Sequence, residues 1–396
     1  MKYRKTSVIK KLIGFIRWFV IVSLIFVFTL EVGIRLVVES RWIGKDYGDV
    51  FSFTTMNEGG YLIPNVNTMV TNGNGVKVSW VNNSKGFRST IEYSHKKPPS
   101  TIRVLSIGDS FTSGYRVGQE ETYSYLLEKA LNELQDSVNY EFMIANVSNP
   151  TYAIKYLNEH GLQYNPDIVL LGVTIGNDLT ENIYSLIEYG KYKLVGTELI
   201  ENPMLDQSKL DSMMSVPLPQ NTYESGYEIN DFTDRFLFPR ILKSFGRYKG
   251  EAIYGEKGKV PPYHYDIVNG LSTFLIDKSP DLEEMYHKSG QVFDALEALS
   301  IKANFELKIA LFPQRYQVNQ LDLEKTIDAY NLKEEVFDWN QPNTILGEFC
   351  RQKDLNCMDL LTEMKNQTES LYLPGGDMHW NAKGQAVAAQ IILKNW

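Results

Sequence analysis

The sequence predicts an α/β chain: a three-layer α/β/α sandwich around a parallel sheet, preceded by an N-terminal transmembrane helix. Three observations carry this. From residue 101 onward, short apolar runs alternate with segments of helical period, the pattern of strand–helix units that feed a parallel sheet. The run "DIVLLGVT" (167–174) is apolar at almost every position, as suits a strand covered on both faces. Residues 12–38, "LIGFIRWFVIVSLIFVFTLEVGIRLVV", lie behind a cluster of basic residues and are apolar enough to read as a membrane span.

Composition sets the limits. The chain has 396 residues, 43% hydrophobic and 22% charged, enough for a large core and further elements around it. Its net charge is -8 and no Lys/Arg block follows the first residues, which argues against nucleic acid as a partner. Two cysteines build neither a disulfide-rich scaffold nor a cysteine zinc site, and no metal or cofactor is expected.

The elements follow in order. Trp18 to Leu30 carries no charge, and Arg17 and Arg35 can snorkel to the two interfaces. Lys2, Arg4, Lys5, Lys10 and Lys11 come before it, so the N-terminus is expected in the cytoplasm and the rest exported to the periplasm or cell exterior. The small-x-small site of a cleaved signal peptide is missing after Leu30, so residues 1–39 read as a tail and an uncleaved anchor.

Residues 40–98 read as an irregular segment packing on the domain that follows. It contains "VNNSKGFRST" with Arg88 and ends at Lys97, Pro98 and Pro99. The domain at 99–396 then alternates. Strands are expected at 101–107, 140–145, 167–174, 305–312 and 357–361, and helices at 122–134, 153–163, 289–303 and 382–394. Residues 183–285 break the rhythm and read as an insertion. Its aromatics (Tyr223, Tyr227, Phe232, Phe236, Phe238, Tyr248, Tyr263, Tyr265) suit a small core of its own or stacking on sugar rings. Cys350, near the end of a helix from Pro342, and Cys357, at the start of a strand, fit a disulfide or two buried thiols equally.

Three boundaries carry candidate chemistry. "IGDSFTSG" places Ser110 on a glycine-flanked turn after the first strand. "TIGNDLTEN" places Gly176, Asn177 and Asp178 after the strand ending at Thr174. "GGDMHWNAKG" places Asp377, His379 and Trp380 just before the last helix. In a parallel sheet all three gather at the carboxyl edge, where such sheets bind ligands. A serine hydroxyl needs a base, and of five histidines only His379 has a carboxylate two residues away. In an extended segment Asp377 and His379 point to one side, so Asp377 can hold one imidazole nitrogen while the other faces Ser110. The Asn177 amide and the Ser110 N–H then serve as oxyanion donors.

These blocks resemble the SGNH (GDSL-type) hydrolase superfamily over about 101–396, outside the insertion. The resemblance implies a flavodoxin-like sandwich with Ser110 as nucleophile, Asn177 as oxyanion donor and His379 as base, with Asp109 inside the first block. The anchor and "NSKGFR", with Arg88, resemble membrane-tethered bacterial members, and the D-x-H-W form is similar to the polysaccharide (alginate-type) O-acetyltransferase branch. Two departures stand out. Many relatives carry the acid three residues before the histidine, where this chain has Gly376, so the triad is either angled differently or reduced to a dyad. The second block usually offers a glycine N–H to the oxyanion, where "NVSNPTYA" offers Thr151.

The expectation is thus an exported, membrane-tethered serine esterase or acyltransferase acting on O-acyl, above all O-acetyl, groups of a cell-surface carbohydrate. The alternatives are a catalytically inactive glycan-binding module on the same fold, a lipid esterase, and a flavodoxin-like phosphate binder, which lacks its glycine-rich loop.

Overall fold

The structure is a computed structural model. It describes residues 56–206 and 270–396, short gaps apart, and a few helical positions between Gly14 and Thr29; the remainder lies outside the described residues. The chain divides into two compact units, and the sheet and the site both belong to the one formed by 48–227 and 253–396.

Five strands form the central sheet: β3 (Thr101–Gly108), β4 (Asn139–Asn146), β5 (Ile168–Thr174), β8 (Glu306–Phe312) and β9 (Asn356–Asp359). Two short antiparallel hairpins supply the others, β1 (Val66–Thr71) with β2 (Lys77–Asn82), and β6 (Tyr192–Val195) with β7 (Glu198–Glu201). The sheet order is β4-β3-β5-β8-β9 and every neighbouring pair is parallel. In chain order this reads second, first, third, fourth, fifth. From β3 the chain steps outward to β4, crosses back to β5, and continues away from it. The carboxyl ends of β3 and β5 therefore flank the topological switch point, the place where such sheets open a ligand crevice.

The helices are α1 (Ser110–Ser113), α2 (Tyr123–Leu134), α3 (Pro150–Tyr156), α4 (Asn177–Leu186), α5 (Pro280–Ala303), α6 (Arg315–Val318), α7 (Gln320–Tyr330), α8 (Gln341–Lys353), α9 (Leu361–Lys365) and α10 (Ala382–Lys394). They cover the sheet in two layers because strand side chains alternate between faces. Leu105, Ile107, Val169, Leu171 and Ile309 pack with Ile154 of α3, Phe293 and Leu296 of α5 and Leu346 of α8. Val104, Leu170, Ala310 and Phe312 face the other way, onto Leu127 and Leu131 of α2 and Val387 and Ile391 of α10. Every residue of β5 is buried, so its apolar run is the two-faced strand that its sequence predicts. Burying each such aliphatic side chain contributes about 1.5–3 kcal/mol.

Helix starts follow local chemistry. Thr122 accepts from the Tyr125 N–H at the start of α2. Asn149 accepts from the Thr151 and Tyr152 N–H groups at α3, where Pro150 needs no partner, and Asn381 accepts from Gly384 N–H at α10.

Some expectations change. Residues 40–98 are not irregular throughout, since the β1–β2 hairpin lies there and buries Trp80. Phe87 joins the core beside α3, and the Arg88 N–H donates to Ile144 O of β4. α4 still runs at residue 183 and α5 begins at Pro280, so the insertion is shorter than 183–285 at both ends. Its eight singled-out aromatics lie outside the described residues. Cys350 and Cys357 form a disulfide with a Cα–Cα distance of 6.1 Å, tying α8 to the edge strand β9. Most of the expected membrane span also lies outside the described residues, and among those that are described no helix is long and apolar enough to cross a membrane.

Candidate active site

Ser110 opens α1 directly after β3. The turn is tight because Gly108 has no side chain: a Cβ there would lie 2.3 Å from Thr112 Oγ1 and 2.9 Å from Gly172 O. The Asp109 carboxylate caps α1 by accepting from the Phe111 N–H at 2.9 Å. Asp109 is therefore a buried support behind the serine rather than a group facing substrate. Burial raises its carboxyl above the ordinary value, and the Phe111 N–H pulls the other way.

His379 comes from the loop before α10. That loop is closed by a bridge between Tyr372 and Trp380, with Leu373 N–H donating to His379 O at 2.9 Å and Asn381 N–H to Leu371 O at 2.9 Å. Arg315, at the start of α6 after β8, holds it from below. One Nη1 donates to Leu373 O at 2.6 Å and to Asp377 O at 2.9 Å, while Nε pairs with Asp322 at 2.7 Å.

The side chains then line up. His379 Nε2 lies 2.7 Å from Ser110 Oγ, and His379 Nδ1 lies 2.7 Å from Asp377 Oδ1. The same Asp377 oxygen accepts from the His379 backbone N–H at 3.0 Å. This is a side-chain turn, not the extended alternation expected from the spacing, and it is why a D-x-H spacing closes the line. With Nδ1–H held by a carboxylate, Nε2 is the acceptor for the serine hydroxyl. Burial pushes the Asp377 carboxyl up; the His379 charge, its hydrogen bonds and Arg116 outweigh this and hold it below the ordinary value. Arg116 Nη1 lies 3.0 Å from Asp377 Oδ2. The Tyr115 ring packs on the imidazole, with centroids 4.4 Å apart.

Across the switch point, Ile175 and Gly176 lead from β5 into α4. Gly176 has φ +107°, a region that L side chains rarely adopt, and a Cβ there would meet Gln314 Nε2 at 3.0 Å. Asn177 is half-buried at the first position of α4. Its amide reaches Asp178 Oδ1 at 3.4 Å and hydrogen-bonds Asp109, directly before the serine. Asp178 is buried and accepts from the Thr174 N–H at 2.8 Å. Burial, then the charges of Asp109 and Glu181, raise its carboxyl well above the ordinary value. Asp109 and Asp178 thus form a buried carboxylate pair beneath the site.

Three expected residues play other parts. The Thr151 N–H donates to Asn149 Oδ1 at 3.0 Å and Asn182 Oδ1 at 3.1 Å, so it is committed to capping α3 and is not a free oxyanion donor. Trp380 is 1% exposed between Phe111 and Phe312, and belongs to the core. Arg88 is buried over the Trp80 ring and donates to Ser113 O, Gly114 O and Val117 O. It braces the loop after α1 without reaching the serine. Arg116 and Arg315 were not anticipated. Arg315 follows the carboxyl end of β8, on the sheet edge where a functional neighbour is expected; Arg116 leaves no local signal. Among the described residues no cluster of His, Cys, Asp and Glu could hold a metal ion.

No family model matches the chain, and no curated protein matches it. Among solved structures it is similar to the acetyl xylan esterase AlAXEase, at 13% identity over 74% of this chain and 98% of that chain, with a TM-score of 0.38. It is also similar to Axe2, an acetylxylan esterase from Geobacillus stearothermophilus, at 9% identity over 74% of this chain and 93% of that chain, TM-score 0.38. A third is LAE5, an alpha/beta hydrolase enzyme from the metagenome of Lake Arreo, Spain, at 13% identity over 76% and 96%, TM-score 0.38.

Proposed function

We propose that the chain is a serine esterase or acyltransferase of the SGNH type. The observation that carries this is the hydrogen-bonded line Ser110–His379–Asp377 at the switch point of a parallel sheet. In this reading His379 Nε2 takes the hydroxyl proton as Ser110 Oγ attacks the ester carbonyl. Asp377 stabilises the imidazolium and fixes its tautomer. The oxyanion is met by the Ser110 N–H and by the Asn177 amide, which exchanges its 3.4 Å contact with Asp178 for the developing charge. His379 returns its proton to the departing alkoxide, leaving an acyl-serine, and an incoming hydroxyl then takes the acyl group.

The substrate reading is an O-acetyl group on a carbohydrate outside the cell. Its support is the basic-flanked apolar N-terminus, whose described helical positions include exposed Trp18, Phe19, Ile21 and Phe26, together with the D-x-H-W motif. The anchor and the substrate are parts of one proposal, that a tethered enzyme edits surface glycans. The test offers the full chain in detergent an acetyl donor ester with a panel of oligosaccharides, and follows free acetate and acetylated sugar by mass spectrometry. Acetylated sugar makes it a transferase, and acetate released from acetylated glycans makes it an esterase. Turnover confined to long-chain acyl esters would overturn the carbohydrate reading, and no turnover at all would leave the inactive module.

A further inference from the structure

The Asp377 carboxylate has two faces, and only one belongs to the Ser–His–Asp line. Oδ1 serves the His379 ring and backbone; Oδ2 is held at 3.0 Å by Arg116. Arg116 sits in an unusual place for such a residue. Its φ is +59°, in the left-handed region that non-glycine residues rarely enter. It lies in the short loop that leaves α1, and that loop is fastened at several points. Tyr115 N–H donates to Ser110 O at 2.8 Å, and Arg88 holds the carbonyls on either side, Gly114 O and Val117 O. The guanidinium also stands over the Tyr115 ring, 4.8 Å from its centroid, and that ring packs on His379. A strained backbone position held by its surroundings is a reason to look for a function.

We propose that Arg116 is a positioning residue for the serine chemistry read above: it grips Oδ2 so that Oδ1 stays aimed at His379. A carboxylate held at one oxygen cannot rotate away from Nδ1. The geometry also joins the two halves of the machinery, because Arg116 follows the nucleophile helix and Asp377 precedes the base. Both side chains are only partly exposed, at 24% and 15%, so solvent screens the pair less than it would at the surface.

The other charged groups near Asp377 and His379 are Asp109, behind the serine, and Arg315 with its partner Asp322 below the loop. All of them remain in the variants that test the assignment. The rate at which a fluorophosphonate labels Ser110 depends on His379 being aimed at it, and it is measured on the full chain. Turnover of a chromogenic acetate ester accompanies it. Arg116→Gln is expected to lower the limiting labelling rate and kcat about tenfold, with KM within about twofold. Arg116→Lys keeps the charge but not the fork, so it restores part of the labelling rate and of kcat. Arg116→Met provides a second neutral variant, should the glutamine chain not fold.

A neutral variant with unchanged rate overturns the assignment. So does a slower variant whose loss falls on KM as much as on kcat and which lysine does not rescue, since that marks a merely structural part. A wild-type chain that does not label overturns the serine reading itself, which is a different result from either.

Discussion

Ser110 Oγ and His379 Nε2 lie 2.7 Å apart although 269 residues of chain separate them. The distance comes from topology rather than local sequence. β3 delivers the serine to the carboxyl edge of the sheet, and the loop before α10 returns the histidine to the same edge, pinned by Arg315 from the end of β8. Deleting any one of these supports acts on the distance without touching either residue.

Asp377→Asn should lower kcat for an acetate ester by about 10⁴-fold while the chain stays folded by circular dichroism. An amide facing Nδ1 favours the tautomer that places the proton on Nε2, where it cannot accept from Ser110. Turnover within tenfold of wild type would mean that a Ser110–His379 dyad suffices.

Asn177→Ala should reduce kcat by about 10²–10³-fold, the usual cost of one oxyanion donor, with a much smaller change in KM. The comparison is Thr151→Ala, which removes a hydroxyl bonded to Asn182 at 2.8 Å and is expected to cost about 1 kcal/mol in urea unfolding. Equal effects of the two on kcat would place the oxyanion elsewhere.

Arg88→Met should destabilise the chain by about 3–5 kcal/mol, read as a lowered urea midpoint. The guanidinium meets three carbonyls in a buried site, of which Gly114 O also accepts from the Val117 N–H at 3.2 Å, and methionine replaces its volume but none of its donors. A shift under about 1 kcal/mol would show that water or a neighbour satisfies those carbonyls.

The pair Asp109 and Asp178 sets a pH dependence of stability. Both carboxyls are raised above their ordinary values, mainly by burial. The folded chain therefore holds a proton that the unfolded chain releases. The pair's contribution is complete below the ordinary carboxylate range, about pH 4, and is lost as pH rises through the folded values. Asp178→Asn removes its own share of this dependence while its carbonyl can still accept from Thr174 N–H. Thermal melts from pH 4 to 8 should show the variant gaining on wild type as pH rises. A constant difference across that range would mean that neither group changes protonation between folded and unfolded states.

How much of this was legible depends on how local each signal is. The inner strands announce themselves because burial on both faces demands apolar runs, as in 167–174. α10 matches its expected span, 382–394, because Asn381 caps it and its apolar residues recur with helical period. The β1–β2 hairpin escaped notice because Asn and Gly around "VNTMVT" hide its period of two. The last turn of α4 was read into the insertion because its sequence, NDLTENIYSL, is short and rich in polar residues. Within the site, Ser110, Asn177, Asp377 and His379 stood out because each sits in a short motif at an element boundary. Arg116 and Arg315 did not, since an ion pair or a carbonyl clamp formed across the fold leaves no spacing to read. Thr151 was misjudged for a related reason. Its N–H has a plausible position by motif, but Asn149 and Asn182 had already claimed it.

The account stands most directly on one measurement: the site and rate of fluorophosphonate labelling of the full chain, by intact mass and peptide mapping. It predicts a single adduct on Ser110, none in Ser110→Ala, and labelling slowed about a thousandfold or more in His379→Ala. No adduct on Ser110 in a folded wild-type chain would contradict it, as would a His379→Ala chain that labels as fast as wild type.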